Sequence, residues 1–144
     1  MVNFPPSDAA IFMTNPNSAV AILGAGAWGK ALATLALENS HEVLIFSRRG
    51  SQTLAHTVEG ADIILSAVSM KGVRDVVSQL LSLSISPQTI FVTATKGLDP
   101  ETTCTPLQIW QENFPDNPVV VLCGPNLSIE ITQELPAATV VASN

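Results

Sequence analysis

Short segments that are apolar almost throughout recur along the chain: Ala19–Leu23, Glu42–Phe46, Asp62–Val68, Ile90–Thr93, Val119–Leu122 and Thr139–Val141. Their shortness and lack of polar alternation predict buried strands. The segments between them have helical character. Trp28–Asn39 is rich in Ala and Leu, and Gln52–Val58 has room for one or two helical turns. Gly72–Leu83 places Val73, Val76, Val77, Leu80 and Leu81 on one face. Pro106–Phe114 starts with a proline, where a missing N–H costs nothing, and a short helix begins near Ser128. Strands without a polar face, alternating with helices, imply a parallel sheet covered on both sides, so the expected fold is doubly wound α/β.

Residues 1–17 break this pattern, with prolines, asparagines and no period, and read as a loose leader with Met13 as an alternative start. Residues 18–144 read as one domain, which suits a chain of 144 residues. There is no internal repeat beyond the alternation and no low-complexity stretch.

Four segments carry candidate chemistry. Gly24-Ala25-Gly26-Ala27-Trp28-Gly29 follows a predicted strand and opens a predicted helix. In that setting the first glycine permits the tight turn, the second lets backbone approach a pyrophosphate, and the third lets helix and strand pack closely. The helix N-terminus then offers free N–H groups to the anion. Glycines serving turn and packing alone are the bland alternative. Trp28, inside the turn, is read equally as core packing or as stacking beside the dinucleotide.

The second segment closes strand two as Ser47-Arg48-Arg49. An NAD-specific site usually places an acid about 20 residues past the glycines to bind the ribose 2′-OH. Ser47 stands 18 residues past Gly29, and two arginines follow it. A guanidinium suits a 2′-phosphate, so NADP(H) is the preferred cofactor and NAD(H) the second, against an alternative of two solvated surface arginines.

The third and fourth segments follow later strands. Thr93-Ala94-Thr95-Lys96-Gly97-Leu98-Asp99 sets Lys96 on the edge where parallel sheets bind ligands, where it meets a phosphate or a substrate oxygen if it is not a solvated loop lysine. Cys123-Gly124-Pro125-Asn126-Leu127-Ser128 turns Gly124 and Asn126 to the same edge. Ser128 is read evenly as a helix N-cap or as a ligand contact, and the two are compatible.

Composition narrows the classes. The net charge of −6 argues against a nucleic-acid surface, yet all six basic residues lie between positions 30 and 96. Arg48, Arg49, Lys71, Arg74 and Lys96 all follow strand ends, which concentrates positive charge at the ligand edge. No run of about 18 apolar residues predicts a membrane span, and the first 18 residues lack a basic start and an apolar core, so the expected location is the cytoplasm. Cys104 and Cys123 are too few for a disulfide framework, and neither they nor His41 and His56 have partners at metal spacing.

Together the segments resemble the N-terminal cofactor-binding domain of the bacterial NAD(P)-dependent glycerol-3-phosphate dehydrogenases. The matching stretches are Leu23–Leu32, His41–Arg49, Ala61–Val68 with Arg74 downstream, Ala94–Asp99 and Gly124–Pro136. The compact stretch between Arg49 and Ala61 looks most like the cyanobacterial branch. The resemblance implies a Rossmann fold and reversible hydride transfer between NAD(P)H and dihydroxyacetone phosphate, giving sn-glycerol 3-phosphate for phospholipid synthesis. Cofactor contacts would come from Gly24, Gly26, Ala27, Trp28, Gly29, Arg48, Arg49, Lys96 and Ser128, and substrate contacts from Lys96, Gly124 and Asn126. Ser69 stands where the family usually has proline, and Asn126 where it more often has Ser or Thr.

The family also has an all-helical domain that supplies the proton-transferring lysine and a phosphate-binding arginine, and nothing in these 144 residues matches it. No catalytic residue and no metal is therefore expected here, and residues 1–144 alone should fold, bind dinucleotide, leave apolar surface open to self-association as a homo-oligomer, and fail to turn over substrate. Two rivals remain. One is the cofactor domain of another two-domain dehydrogenase, such as a ketopantoate reductase or a 3-hydroxyacid dehydrogenase, against which Ala94–Asp99 and Gly124–Asn126 weigh. The other is a catalytically silent NADPH-binding module.

Overall fold

A computed structural model describes residues 17–125 and 127–143. The predicted leader, Met13 included, lies outside the described residues except for Asn17. Every predicted strand and helix within them is present, with modest shifts at the ends. β1 (Ala19–Leu23) is followed by α1 (Ala27–Glu38), β2 (Glu42–Phe46), α2 (Leu54–Val58), β3 (Ile63–Ser66) and α3 (Met70–Leu80). Then come β4 (Ile90–Thr93), α4 (Pro106–Asn113), β5 (Val119–Cys123), α5 (Ser128–Thr132) and β6 (Val140–Ser143).

The strands form one sheet in the order β2-β1-β3-β4-β5-β6. Strands β1 to β5 are mutually parallel, and β6 runs antiparallel to β5, pairing Cys123 with Val140 and Val120 with Ser143. The expectation of a wholly parallel, doubly covered sheet thus holds from β1 to β5 and is corrected at β6. An antiparallel strand commonly edges an otherwise parallel sheet. Here β6 starts beside Cys123, where β5 ends, and its backbone pairs with the open edge of β5. All of β6 is exposed, with Val140 at 56% and Val141 at 64%.

The apolar character of the strands follows from two core layers. Alternate side chains of β1 serve opposite faces: Ala21 and Leu23 pack toward α2, α3 and α4, and Val20 and Ile22 toward α1. On the first face Val73, Val76, Val77 and Leu80 of α3 join Ile109 and Trp110 of α4 over Ile64 and Phe91. Phe91, Trp110 and Phe114 form an aromatic cluster, with ring centroids 5.0 Å apart for Phe91–Trp110 and 4.5 Å for Phe91–Phe114. The helix that supplies Trp110 is fixed at its start by reciprocal bonds. The Gln108 N–H donates to Thr105 Oγ1 at 3.2 Å, the Thr105 N–H donates to Gln108 Oε1 at 2.8 Å, and Pro106 occupies the first turn.

Trp110 is 1% exposed at the centre of that cluster. Trp110→Ala should lower the unfolding free energy by about 3–5 kcal/mol through lost burial and the cavity it leaves. Urea unfolding of the variant beside the parent chain measures this, and a loss below about 1 kcal/mol would show that the aromatic cluster does not anchor α4.

Candidate functional site

The parallel register brings the C-terminal ends of β1 to β5 to one edge, where Leu23, Phe46, Ser66, Thr93 and Cys123 end their strands. From β1 the chain goes first to β2 on one side and later to β3 on the other, so this edge contains the switch point at which such sheets open a crevice. The glycine turn lies there. Gly24 has φ +113°, and a Cβ on it would stand 2.8 Å from the Ala67 carbonyl oxygen. A Cβ on Gly29 would stand 1.9 Å from the Gly24 carbonyl oxygen, so α1 reaches β1 at a distance that no side chain permits. At Gly26, by contrast, nothing lies within 4 Å of a Cβ, and the open space is on the ligand side of the turn. Gly24 and Gly29 thus serve the tight turn and the close packing that the sequence pattern implied.

Helix α1 starts without a capping side chain and without an acid in its first turn. Its leading N–H groups and the positive end of its dipole are therefore available to an anion.

Phe46 ties the neighbouring segment to this turn, because its carbonyl accepts from the Gly24 N–H at 2.9 Å. Beyond it, Ser47-Arg48-Arg49-Gly50 forms a β-turn closed by the Gly50 N–H donating to the Ser47 carbonyl at 3.0 Å. Both arginines are exposed and line a cleft of about 350 Å³ together with Gly24, Ala25 and Gly26. The opposite wall comes from Ala67–Ser69 and from Gly72, Asp75 and Val76 of α3. Sequence reasoning named the first wall and missed the second; the signal available was that the stretch after β3 must border any crevice opened between β1 and β3.

Lys96 and Trp28, read separately in the sequence, meet in space. Lys96 Nζ lies 5.7 Å from the centre of the Trp28 ring, within cation–π range. The ring packs against the core layer under α1, with its Nε1 enclosed and without a partner among the described residues. Trp28 is thus a packing residue whose ring also carries the ammonium. Lys96 is followed by Gly97 at φ +104°, a conformation that favours glycine.

Asp99 then anchors the loop to α3. Its Oδ2 accepts from Arg74 Nε at 3.0 Å and Nη2 at 2.8 Å, and from the Thr102 N–H and hydroxyl. The carboxylate is 7% exposed. Arg74, counted in the sequence with the cations of the ligand edge, is paired there: its Nε and Nη2 donate to Asp99, and Nη2 donates to Thr102 as well.

Gly124 and Ser128 follow β5 on the same edge and stand apart from the cleft. Asn126 lies outside the described residues. Helix α5 lies against α1, which puts Ser128 on the same side of the sheet as Trp28. The N-cap reading of Ser128 is corrected: Leu127 occupies the cap position and Ser128 is already the first helical residue, one position too late to serve the leading N–H groups. His56 is exposed, and no group of three or more potential metal ligands occurs among the described residues. None of their helices is long and apolar enough to cross a membrane.

Comparison with known proteins matches residues 19–53 and 50–144 to the model of the NAD-dependent glycerol-3-phosphate dehydrogenase N-terminus. The chain belongs to this family. Glycerol-3-phosphate dehydrogenase [NAD(P)+] of Trichormus variabilis is 69% identical over 124 residues, covering 86% of this chain and 40% of the relative. The enzyme of the same name from Nostoc is 68% identical with the same coverage. The chain thus spans 40% of the length of these relatives. Among solved structures, glycerol-3-phosphate dehydrogenase from Coxiella burnetii aligns with a TM-score of 0.79 at 25% identity, over 90% of this chain and 47% of that one. The glycerol-3-phosphate dehydrogenase N-terminal fold in this chain is therefore built around the glycine turn and the cleft beside it.

The Arg74–Asp99 pair gives the family fold here a pH signature. Hydrogen bonds from Arg74, then from Thr102, hold the Asp99 carboxyl below its ordinary value of 3.8, against the opposing effect of burial. A carboxyl that is more acidic folded than unfolded stabilises fully above its unfolded value, and loses that contribution as pH falls through the lowered folded value. The melting-temperature gap between the parent chain and Asp99→Asn should therefore be widest near neutrality and shrink below about pH 4. Thermal unfolding from pH 7 to pH 3 measures it; a gap independent of pH would mean that the charge of Asp99 does not hold the loop.

Proposed function

We propose that residues 18–144 form the NAD(P)-binding domain of a glycerol-3-phosphate dehydrogenase, with NADP(H) preferred over NAD(H). The observation that carries this reading is the meeting of the glycine turn with Arg48 and Arg49 around one cleft at the switch point of the sheet. The names of the relatives, glycerol-3-phosphate dehydrogenase [NAD(P)+], supply the cofactor class and the substrate.

In this reading the pyrophosphate sits over Gly26, Ala27 and the start of α1, close to backbone that carries no side chain to obstruct it. Arg48 and Arg49 take the ribose 2′-phosphate, where planar guanidinium groups make charge-assisted bonds. The bound nicotinamide exchanges a hydride with the C2 carbon shared by dihydroxyacetone phosphate and sn-glycerol 3-phosphate. Lys96, held over Trp28 and turned by Gly97, puts positive charge at the edge where the ketone oxygen becomes negative. Lys96 thus touches both cofactor and substrate, Gly124 and Asn126 line the substrate side, and Ser128 contacts the cofactor. Proton transfer is assigned to a group outside residues 1–144. Two free cysteines, Cys104 and Cys123, suit the reducing cytoplasm in which this reading places the protein. Exposed Leu127, Ile129, Leu135, Val140 and Val141 support self-association as a homo-oligomer.

Titration with both reduced cofactors should show NADPH bound more tightly than NADH by about 1.5–3 kcal/mol. An Arg48→Ala, Arg49→Ala double variant should lose that difference while keeping NADH binding. Equal affinities in the parent chain would rule out the 2′-phosphate assignment.

Residues 1–144 alone should bind NADPH without oxidising it in the presence of dihydroxyacetone phosphate, because the developing oxyanion lacks a positioned acid and a closed site. The absorbance of the reduced nicotinamide follows the reaction, and turnover comparable to that of a full-length relative would place the proton donor within these residues.

A further inference from the structure

The cleft has a second charged wall. Gly72, Asp75 and Val76 border it from α3, at spacings of three and four residues that share one helix face. Arg48 and Arg49 border it from the turn after β2. Among the described residues, neither guanidinium nor the Asp75 carboxylate engages in a hydrogen bond or an ion pair. Two cations and one anion thus face a single cavity without neutralising each other. Such a polarised cleft fits a ligand that presents an anion to one wall and a hydrogen-bond donor to the other.

Gly72 points the same way on independent grounds. Glycine inside a helix costs stability relative to alanine, so packing or function has to account for it. Packing does not. A Cβ there would meet the Val68 Cβ at 3.5 Å and the Ser69 Oγ at 3.8 Å, both ordinary contacts. What the missing side chain leaves is floor space beside Asp75, between the apolar groups of Phe46, Val68 and Val76 that also line the cleft. That is room for a flat ring.

We propose that Asp75 is the base-selecting residue of the cleft, its carboxylate accepting a hydrogen bond from the exocyclic amine of adenine while the 2′-phosphate of the same nucleoside faces Arg48 and Arg49. The assignment rests on the dinucleotide reading above. An ionised carboxylate only accepts, so it favours a 6-amino purine and repels a 6-oxo purine, which presents lone pairs at the same position. Asp75 is exposed on α3, and alanine is a strong helix former, so its replacement leaves the fold intact.

The test uses calorimetric titration of the chain with four ligands: NADPH, NADH, and the two reduced dinucleotides in which hypoxanthine replaces adenine. The parent chain should bind each adenine form roughly tenfold more tightly than its hypoxanthine partner, as loss of a hydrogen bond to a charged group implies. Asp75→Ala should bring that ratio close to one. Asp75→Asn should do the same by gaining affinity for hypoxanthine, because its amide either donates or accepts. A ratio near one in the parent chain, or one unchanged in both variants, overturns the proposal. Equal binding of NADPH and NADH with the base ratio intact overturns only the 2′-phosphate reading, whereas no binding of any of the four overturns both.

Discussion

The turn between β1 and α1 closes only because Gly24 and Gly29 carry no side chains. A Cβ on either would collide with backbone, at Ala67 in the first case and at Gly24 itself in the second. Backbone cannot step aside as a flexible side chain can, so the seat of α1 is fixed by absence. Much of the site inherits its position from that contact. The start of α1 is held at the end of β1, the Gly24 N–H binds the end of β2, and Ala67 is held against the turn from the end of β3. The glycines place an uncapped helix start, an arginine turn and the beginning of α3 around one space.

The sequence made most of this legible, for a reason that also explains what it hid. Strands such as Ala19–Leu23 are apolar throughout because both faces are covered, and burial of that kind leaves a mark that needs no knowledge of neighbours. The roles of Gly24 and Gly29 were legible because turn and packing are local demands. The direction of β6 was not, since Val140 and Val141 are equally apolar in either sense. Ser128 misled by one residue, which is within the uncertainty of any helix start and yet decides whether a hydroxyl can cap. Arg74 and Asp99 lie 25 residues apart and meet because β3 and β4 are neighbours, a fact that belongs to topology. The wall containing Asp75 was hidden in the same way.

Charge in this chain is sparse and placed with economy. Only 12% of residues are charged, so each ion near the sheet edge has few competitors. Neighbouring residues of α3 divide the work: Arg74 reaches toward the loop that carries Lys96, and Asp75 borders the cleft. One helix therefore borders the cleft while securing the lysine loop, and the dense bonding around Asp99 gives that loop little freedom to drift from it.

The two indoles stand in opposite surroundings. Trp110 is sealed in the aromatic cluster at 1% exposure, whereas Trp28 sits at the mouth of the glycine turn under the Lys96 ammonium. The chain has no tyrosine. Its near-ultraviolet emission thus comes from two sources with separate meanings, one sensing the integrity of the interior and the other the electrostatic surroundings of the ligand edge. Removing either indole leaves a spectrum with a single origin, so loosening of the core and occupation of the edge can be told apart by light without any attached label.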